Sequence, residues 1–122
     1  MRKPRILLVD DEEEFVKTLA ERLQLRDFDV RIATDGEGAL DIVEADPPQL
    51  VVLDMIMPGM GGLEVLKQIK AMNRRMPVIL LTGHGSTAEG IEGMRLGAFD
   101  YLMKPINIDD LIKKMEAAAG SK

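Results

Sequence analysis

The chain contains no cysteine, which removes disulfide frameworks, thiol nucleophiles and Cys-ligated metals from consideration. With a single histidine, His84, a zinc site of the usual ligand types is not expected either. Tryptophan is absent and the aromatics are three Phe and one Tyr, against nine Met, so an adaptable aliphatic core is expected. Basic charge is in deficit: 16 Lys and Arg face 21 Asp and Glu, a net charge of −5 at pH 7. The basic footprint of a nucleic-acid-binding surface is missing, so no direct nucleic-acid contact is expected. No apolar run reaches the length that crosses a bilayer. Met1-Arg2-Lys3 is basic, but the run after it, Ile6 to Val9, is too short for a signal peptide. A cytoplasmic location without membrane association follows as the expectation. Internal repeats and low-complexity segments are also lacking.

What is there fits one domain in 122 residues. The organising stretch is Leu50-Val51-Val52-Leu53-Asp54, a continuous apolar run that ends in one acid before the Pro58-Gly59 turn. Such a run reads as a strand buried on both faces. Arg5 to Val9 is a second such strand, ending in Asp10-Asp11-Glu12-Glu13-Glu14. Asp10 or Asp11 is expected to cap the helix that follows, whose positive end suits the glutamates. That helix turns Phe15, Val16, Leu19, Ala20 and Leu23 to one side. Val30 and Ile32 alternate with polar residues, as in a half-buried strand near a sheet edge. Thr34-Asp35-Gly36 opens a second helix with Ala39, Leu40 and Val43 inward, and Asp46-Pro47-Pro48 stops it.

After Asp54, Gly61-Gly62 leads into a helix bearing Leu63, Leu66 and Ile69. Met57 and Met60, in the loop before it, are expected to be partly exposed. Pro77 to Leu81 is a third buried strand, ending in Thr82-Gly83-His84-Gly85. Ser86 and Glu89 have capping-box spacing. The helix they open is weakened by Gly90 and Gly93, each costing roughly 1 kcal/mol against Ala. Its apolar face is assigned to Ile91 and Met94. Phe99 to Met103 is a fifth strand, ending at Lys104-Pro105. Asn107 caps a last helix with Leu111, Ile112, Met115, Ala118 and Ala119 inward, and Gly120-Ser121-Lys122 is a tail.

Strand and helix alternate throughout, which predicts a parallel sheet with helices on both faces. The continuous apolar strands are the first, third and fourth, so they belong inside the sheet. This fits the flavodoxin-like order 2-1-3-4-5, an α/β doubly wound fold whose ligands bind beyond the carboxyl ends of the strands at the switch point. Asp10, Asp11, Asp54, Thr82 and Lys104 gather there. Close carboxylates disfavour their own ionised forms, and a divalent cation relieves this. All-oxygen ligands favour Mg2+, with Mn2+ as a substitute, and Mg2+ readily shares its shell with phosphate oxygens. Lys104 supplies a point charge, Thr82 a hydroxyl and Gly83 an approachable backbone N–H. Asp54 is then the placed nucleophile, forming an aspartyl phosphate.

With these residues in place, the chain resembles the response-regulator receiver domains of two-component signalling, from Arg5 to about Ala119. The marks are Asp10-Asp11, Asp54 with Pro58-Gly59, Thr82-Gly83 and Lys104-Pro105, each at the end of its strand and in order. The resemblance implies a single receiver domain over 1–122, without an output domain of its own. It implies a signalling domain, not an enzyme, in which Asp54 accepts phosphate from a sensor histidine kinase or phosphotransfer protein. Asp11 and Asp54 would ligate Mg2+ directly, Asp10 through water, and the Ile56 carbonyl would be a further ligand. Thr82 and Lys104 would contact the phosphoryl group. Tyr101 matches the switch aromatic, and the Lys104-Pro105 peptide is expected to be cis. The output surface would comprise the fourth helix, fifth strand and fifth helix, with Arg95, Asp100, Lys113 and Lys114. It would act on a downstream effector protein or a covalently linked output domain, from a monomer or weak homodimer. By the same resemblance, Ile56 and His84 would occupy the two positions that vary within the family and tune phosphoryl lifetime. Ile56 has no polar group to orient water, so slow to moderate self-hydrolysis is expected.

Each mark alone has a plainer reading. Asp10-Asp11 is then a helix cap, Asp54 a turn acid, Thr82-Gly83 a loop, His84 an exposed loop residue and Tyr101 an ordinary strand aromatic. Glu12 to Glu14 reads as a solvated helix start. Three rival functions are an aspartate-nucleophile phosphohydrolase, a flavin-binding module and a phosphorylation-independent interaction module. The hydrolase usually carries a cap domain and a second acid where Ile56 stands. The acid cluster opposes a flavin phosphate, and the intact constellation opposes the phosphorylation-independent module.

Overall fold

The computed structural model describes residues 4–83 and 87–120. Strands and helices alternate as β1 (Arg5–Val9), α1 (Glu13–Gln24), β2 (Asp29–Ala33), α2 (Gly36–Ala45), β3 (Leu50–Asp54), α3 (Gly62–Met72), β4 (Val78–Thr82), α4 (Thr87–Arg95), β5 (Asp100–Met103) and α5 (Ile108–Gly120). All strand pairs are parallel and the order is β2-β1-β3-β4-β5. The three continuous apolar strands are the interior ones, and β2 is an edge with Val30 and Ile32 half-buried.

Alternation along each strand divides the core into two layers. Leu7, Val9, Val51, Leu53, Val78 and Leu80 face α2 and α3, where Ala39, Val43, Val65, Leu66 and Ile69 meet them. Ile6, Leu8, Leu50, Val52, Ile79 and Leu81 face α1 and α5, against Val16, Leu19, Leu23, Leu111 and Met115. Because β1, β3 and β4 are covered on both faces, their sequences show no polar alternation. At the amino-terminal edge of the sheet Asp46 accepts from Arg5 at 2.9 Å and Arg31 at 2.7 Å, joining three segments.

Several local expectations need correction. The N-cap of α1 is Glu12, without a side-chain capping bond; neither Asp10 nor Asp11 fills that place. Asp10 instead accepts the Glu12 N–H, at 2.9 Å, and is otherwise committed to a lysine. Met57 is buried, because the loop after β3 folds it into the α2–α3 layer, while Met60 is half-buried there. The apolar face assigned to α4 points outward: Ile91 is 61% and Met94 41% exposed. Gly90 and Gly93 form the buried face. A Cβ at Gly93 would stand 2.1 Å from Leu80 Cδ1, and one at Gly90 would stand 3.1 Å from the Tyr101 ring. The glycines therefore let β4 and β5 side chains occupy the space beneath the helix. β5 begins at Asp100, one residue later than expected, and Gly120 is still helical. Asn107 does cap α5, accepting the Asp110 N–H at 3.0 Å. The Ser86 capping box and His84 lie outside the described residues.

Candidate functional site

The carboxyl ends of β1, β3 and β5 bring their polar residues to one place. Parallel pairing sets Asp54 beside Leu81, and the Met55 N–H donates to the Leu81 carbonyl at 2.9 Å. The Asp10 N–H donates to the Ala33 carbonyl at 3.1 Å, so the acid just beyond β1 is fixed by the neighbouring strand. The Lys104 N–H donates to the Thr82 carbonyl at 2.9 Å and anchors the end of β5 in the same way. Beneath Asp54, Gly62 opens α3 against the β3 backbone; its N–H donates to the Met55 carbonyl at 2.9 Å.

The side chains converge on Lys104. Its ammonium lies 3.0 Å from Asp10 Oδ2, 3.1 Å from Glu12 Oε1 and 3.4 Å from Asp54 Oδ1. It also sits 4.6 Å above the Phe15 ring centroid, a favourable placement for a cation. Asp10 and Asp54 are buried and Asp11 is half-buried. One carboxylate oxygen from each lies within 4.8 Å of the others. Loss of hydration pushes the Asp54 carboxyl up to about 6, and the Asp10 charge adds to this against the pull of Lys104. Burial opposes charge on Lys104, but the hydrogen bonds it donates to Asp10 and Glu12 and the charges of Asp54 and Asp10 outweigh this and raise its pKa.

Two expected participants point elsewhere. Thr82 is fully buried at the end of β4, and its hydroxyl donates to the Leu102 carbonyl at 3.4 Å. Tyr101 is half-buried against Gly90 in the α2–α3 layer, on β5, with β4 between it and the strand that ends in Asp54. Gly83 follows β4 and is half-buried; Ile56 is 60% exposed on the loop after Asp54. The Lys104-Pro105 peptide is cis. Glu12 and Phe15 are contacts that the sequence reading missed. Their signal was nearness to Asp10, hidden because a helix dipole already accounted for a row of acids.

Oxygen donors alone, crowded and partly desolvated, suit a hard divalent cation in preference to zinc. A buried carboxylate with an ammonium beside it suits an incoming anionic group. Fold and site together define a small α/β domain with an acid–lysine centre at its topological switch point.

Comparison with known proteins is consistent with this. The model for the response regulator receiver domain matches residues 6–116, and the chain belongs to that family. It is 39% identical over 113 residues to the response regulator MprA of Mycolicibacterium vanbaalenii, covering 93% of this chain and 49% of that protein. MprA of Mycobacterium avium is 38% identical, with 93% and 50% covered. The chain thus spans about half the length of these curated relatives. Among solved structures, the receiver domain of NtrX from Brucella abortus superposes with a TM-score of 0.92 at 34% identity, covering 96% of this chain and 99% of that one. The Francisella response regulator 1452 receiver domain gives 0.90 at 31%, covering 97% and 98%. The flavodoxin-like fold and the receiver family are both as the sequence implied. No helix among the described residues is long and apolar enough to cross a membrane.

Proposed function

We propose that this chain is a phosphorylation switch of a two-component system in which Asp54 is the phosphoryl acceptor. The observation that carries it is the placement of a buried Asp54 carboxylate, 3.4 Å from Lys104, among the oxygens of Asp10 and Asp11. An Asp54 oxygen attacks phosphorus, the acyl-phosphate bond forms, and the bond to the donor nitrogen of a kinase or phosphotransfer histidine breaks. Lys104 supplies positive charge to the transferring group. Asp10, Asp11, Asp54 and the Ile56 carbonyl would hold Mg2+, which supplies charge neutralisation among the carboxylate and phosphoryl oxygens. Mn2+ would serve in its place.

Thr82 would exchange the Leu102 carbonyl for a phosphoryl oxygen, with Gly83 offering its N–H. That hydroxyl moves away from β5 next to Tyr101, which stands against α4. Phosphorylation would shift an existing equilibrium of this region rather than create a new state. The responsive face would carry the exposed Ile91, Met94 and Met103, with Arg95, the Asp100–Lys114 ion pair at 2.5 Å, and Lys113. Its target would be an effector protein or a linked output domain.

The test is intact mass after incubation with acetyl phosphate and Mg2+, for wild type and Asp54→Ala. One phosphoryl adduct, dependent on Mg2+ and absent from the variant, is expected. Steady phosphate release without an adduct would indicate a hydrolase instead; no adduct and no beryllofluoride binding would indicate a phosphate-independent module.

A further inference from the structure

The geometry points to Glu12 as a positioning residue for Lys104, one that holds the lysine over the acid centre in the unloaded protein and releases it to an incoming phosphoryl group. This rests on the phosphoacceptor reading and names a residue that regulates the same site.

Lys104 has three N–H donors, and three carboxylates surround it: Asp10 at 3.0 Å, Glu12 at 3.1 Å and Asp54 at 3.4 Å. The Phe15 ring covers a further side of the ammonium. Two of these contacts are hydrogen bonds, to Asp10 and Glu12, and the ammonium can turn fully to a phosphoryl oxygen on Asp54 only by loosening one of them. The three are not equal. The Asp10 side chain is 2% exposed and would lose its charge partner inside the protein, while Asp54 carries the incoming group and stays beside the ammonium. The Glu12 side chain is 65% exposed, so water replaces the lysine there at little cost.

Backbone geometry keeps Glu12 in reach. It is the residue before α1, with extended backbone angles, and its N–H donates to Asp10 Oδ1 at 2.9 Å while Lys104 occupies Asp10 Oδ2. Glu12, Asp10 and Lys104 thus close a ring in which each touches the other two. Glu13 and Glu14 carry the same charge in the first turn of α1. They serve as charge-matched comparisons for an effect that belongs to the contact rather than to net charge.

The test compares wild type, Glu12→Gln and Glu13→Gln, each also combined with Lys104→Ala. In the presence of Mg2+, Glu12→Gln is expected to tighten beryllofluoride binding roughly two- to fivefold, the worth of one exposed ion pair. Glu13→Gln should change it by less than half that factor, and the Glu12 effect should vanish with Lys104→Ala. Equal shifts for the two glutamates, or a Glu12 effect that survives loss of the lysine, would overturn the proposal. Independently of any phosphoryl chemistry, proton exchange of the Lys104 ammonium, followed by NMR without ligand, should quicken severalfold in Glu12→Gln and not in Glu13→Gln. Unchanged exchange refutes the holding role alone. A wild-type chain that takes neither beryllofluoride nor phosphate refutes the phosphoacceptor reading, and with it the release.

Discussion

Replacing Gly62 by alanine tests how the backbone around Asp54 is held. A Cβ at this position would lie 2.6 Å from the Asp54 carbonyl oxygen, 2.6 Å from Met55 Cα and 3.0 Å from the Met55 carbonyl oxygen. All three are backbone atoms at the end of a central strand, so no side chain can rotate away. Ordinary contact begins near 3.4 Å, so α3 and the end of β3 must part by about 0.8 Å. That movement stretches the 2.9 Å bond from the Gly62 N–H to the Met55 carbonyl. It also pulls on Val65, Leu66 and Ile69, all fully buried. Overpacking of this kind costs about 1–3 kcal/mol. Alanine returns less than about 1 kcal/mol in helix propensity. A net loss of about 1–2 kcal/mol lowers Tm by roughly 3–10 °C in a domain of this size. Circular dichroism melts of Gly62→Ala and Gly120→Ala would measure it; Gly120, with nothing within 4 Å, should hold or gain stability. Mg2+ affinity by calorimetry should fall in Gly62→Ala, because the displaced carbonyl belongs to Asp54 itself. A Gly62→Ala protein that melts at or above wild type would refute the reasoning.

Other outcomes follow from the same geometry. Burial raises the Asp54 carboxyl from 3.8 to about 6, so ionising it costs the folded state stability that is intact below about pH 4 and lost as pH rises through 6. Without Mg2+, Asp54→Asn should therefore be roughly 1–3 kcal/mol more stable than wild type at pH 7.5, with the gap closing towards pH 4; urea melts showing a constant gap would contradict this. Gly93→Ala sets a Cβ 2.1 Å from Leu80 Cδ1 in a packed layer, and should cost about 1–2 kcal/mol despite the helix gain; an unchanged urea midpoint would show that Leu80 can yield. Phosphorylated protein should persist for minutes or longer at neutral pH, since Ile56 offers no group to orient water; decay within seconds, followed by mass, would exclude that.

The legible parts of this chain were those whose cause lies in side-chain pattern. β1, β3 and β4 stand out as apolar runs because both faces are covered, and their continuity sufficed to place them centrally. The acids could be gathered because each ends one of those runs. The misplaced elements share a different cause. In α4 the contact face is built from Gly90 and Gly93, which carry no side chain, so periodicity fastened on Ile91 and Met94 and chose the wrong side. Met57 packs inward through the path of a loop, which has no periodic signature. Glu12 lay in a row of acids that one local cause already explained, and only the fold brings Lys104, 92 residues away, against it.

The glycine-faced α4 also separates two kinds of information that most amphipathic helices mix. Of residues 88–95, the only buried ones are Gly90 and Gly93. Where this helix rests is set by Leu80, Leu63 and Tyr101, which rise from other elements towards it. Its outward Ile91 and Met94 are exposed, and Arg95 pairs locally with Glu92 at 2.7 Å. The outer surface can accordingly be rewritten from one descendant to the next with little penalty in folding. Any recognition placed on this side of the molecule would thus be free to diverge while the core beneath it stays the same.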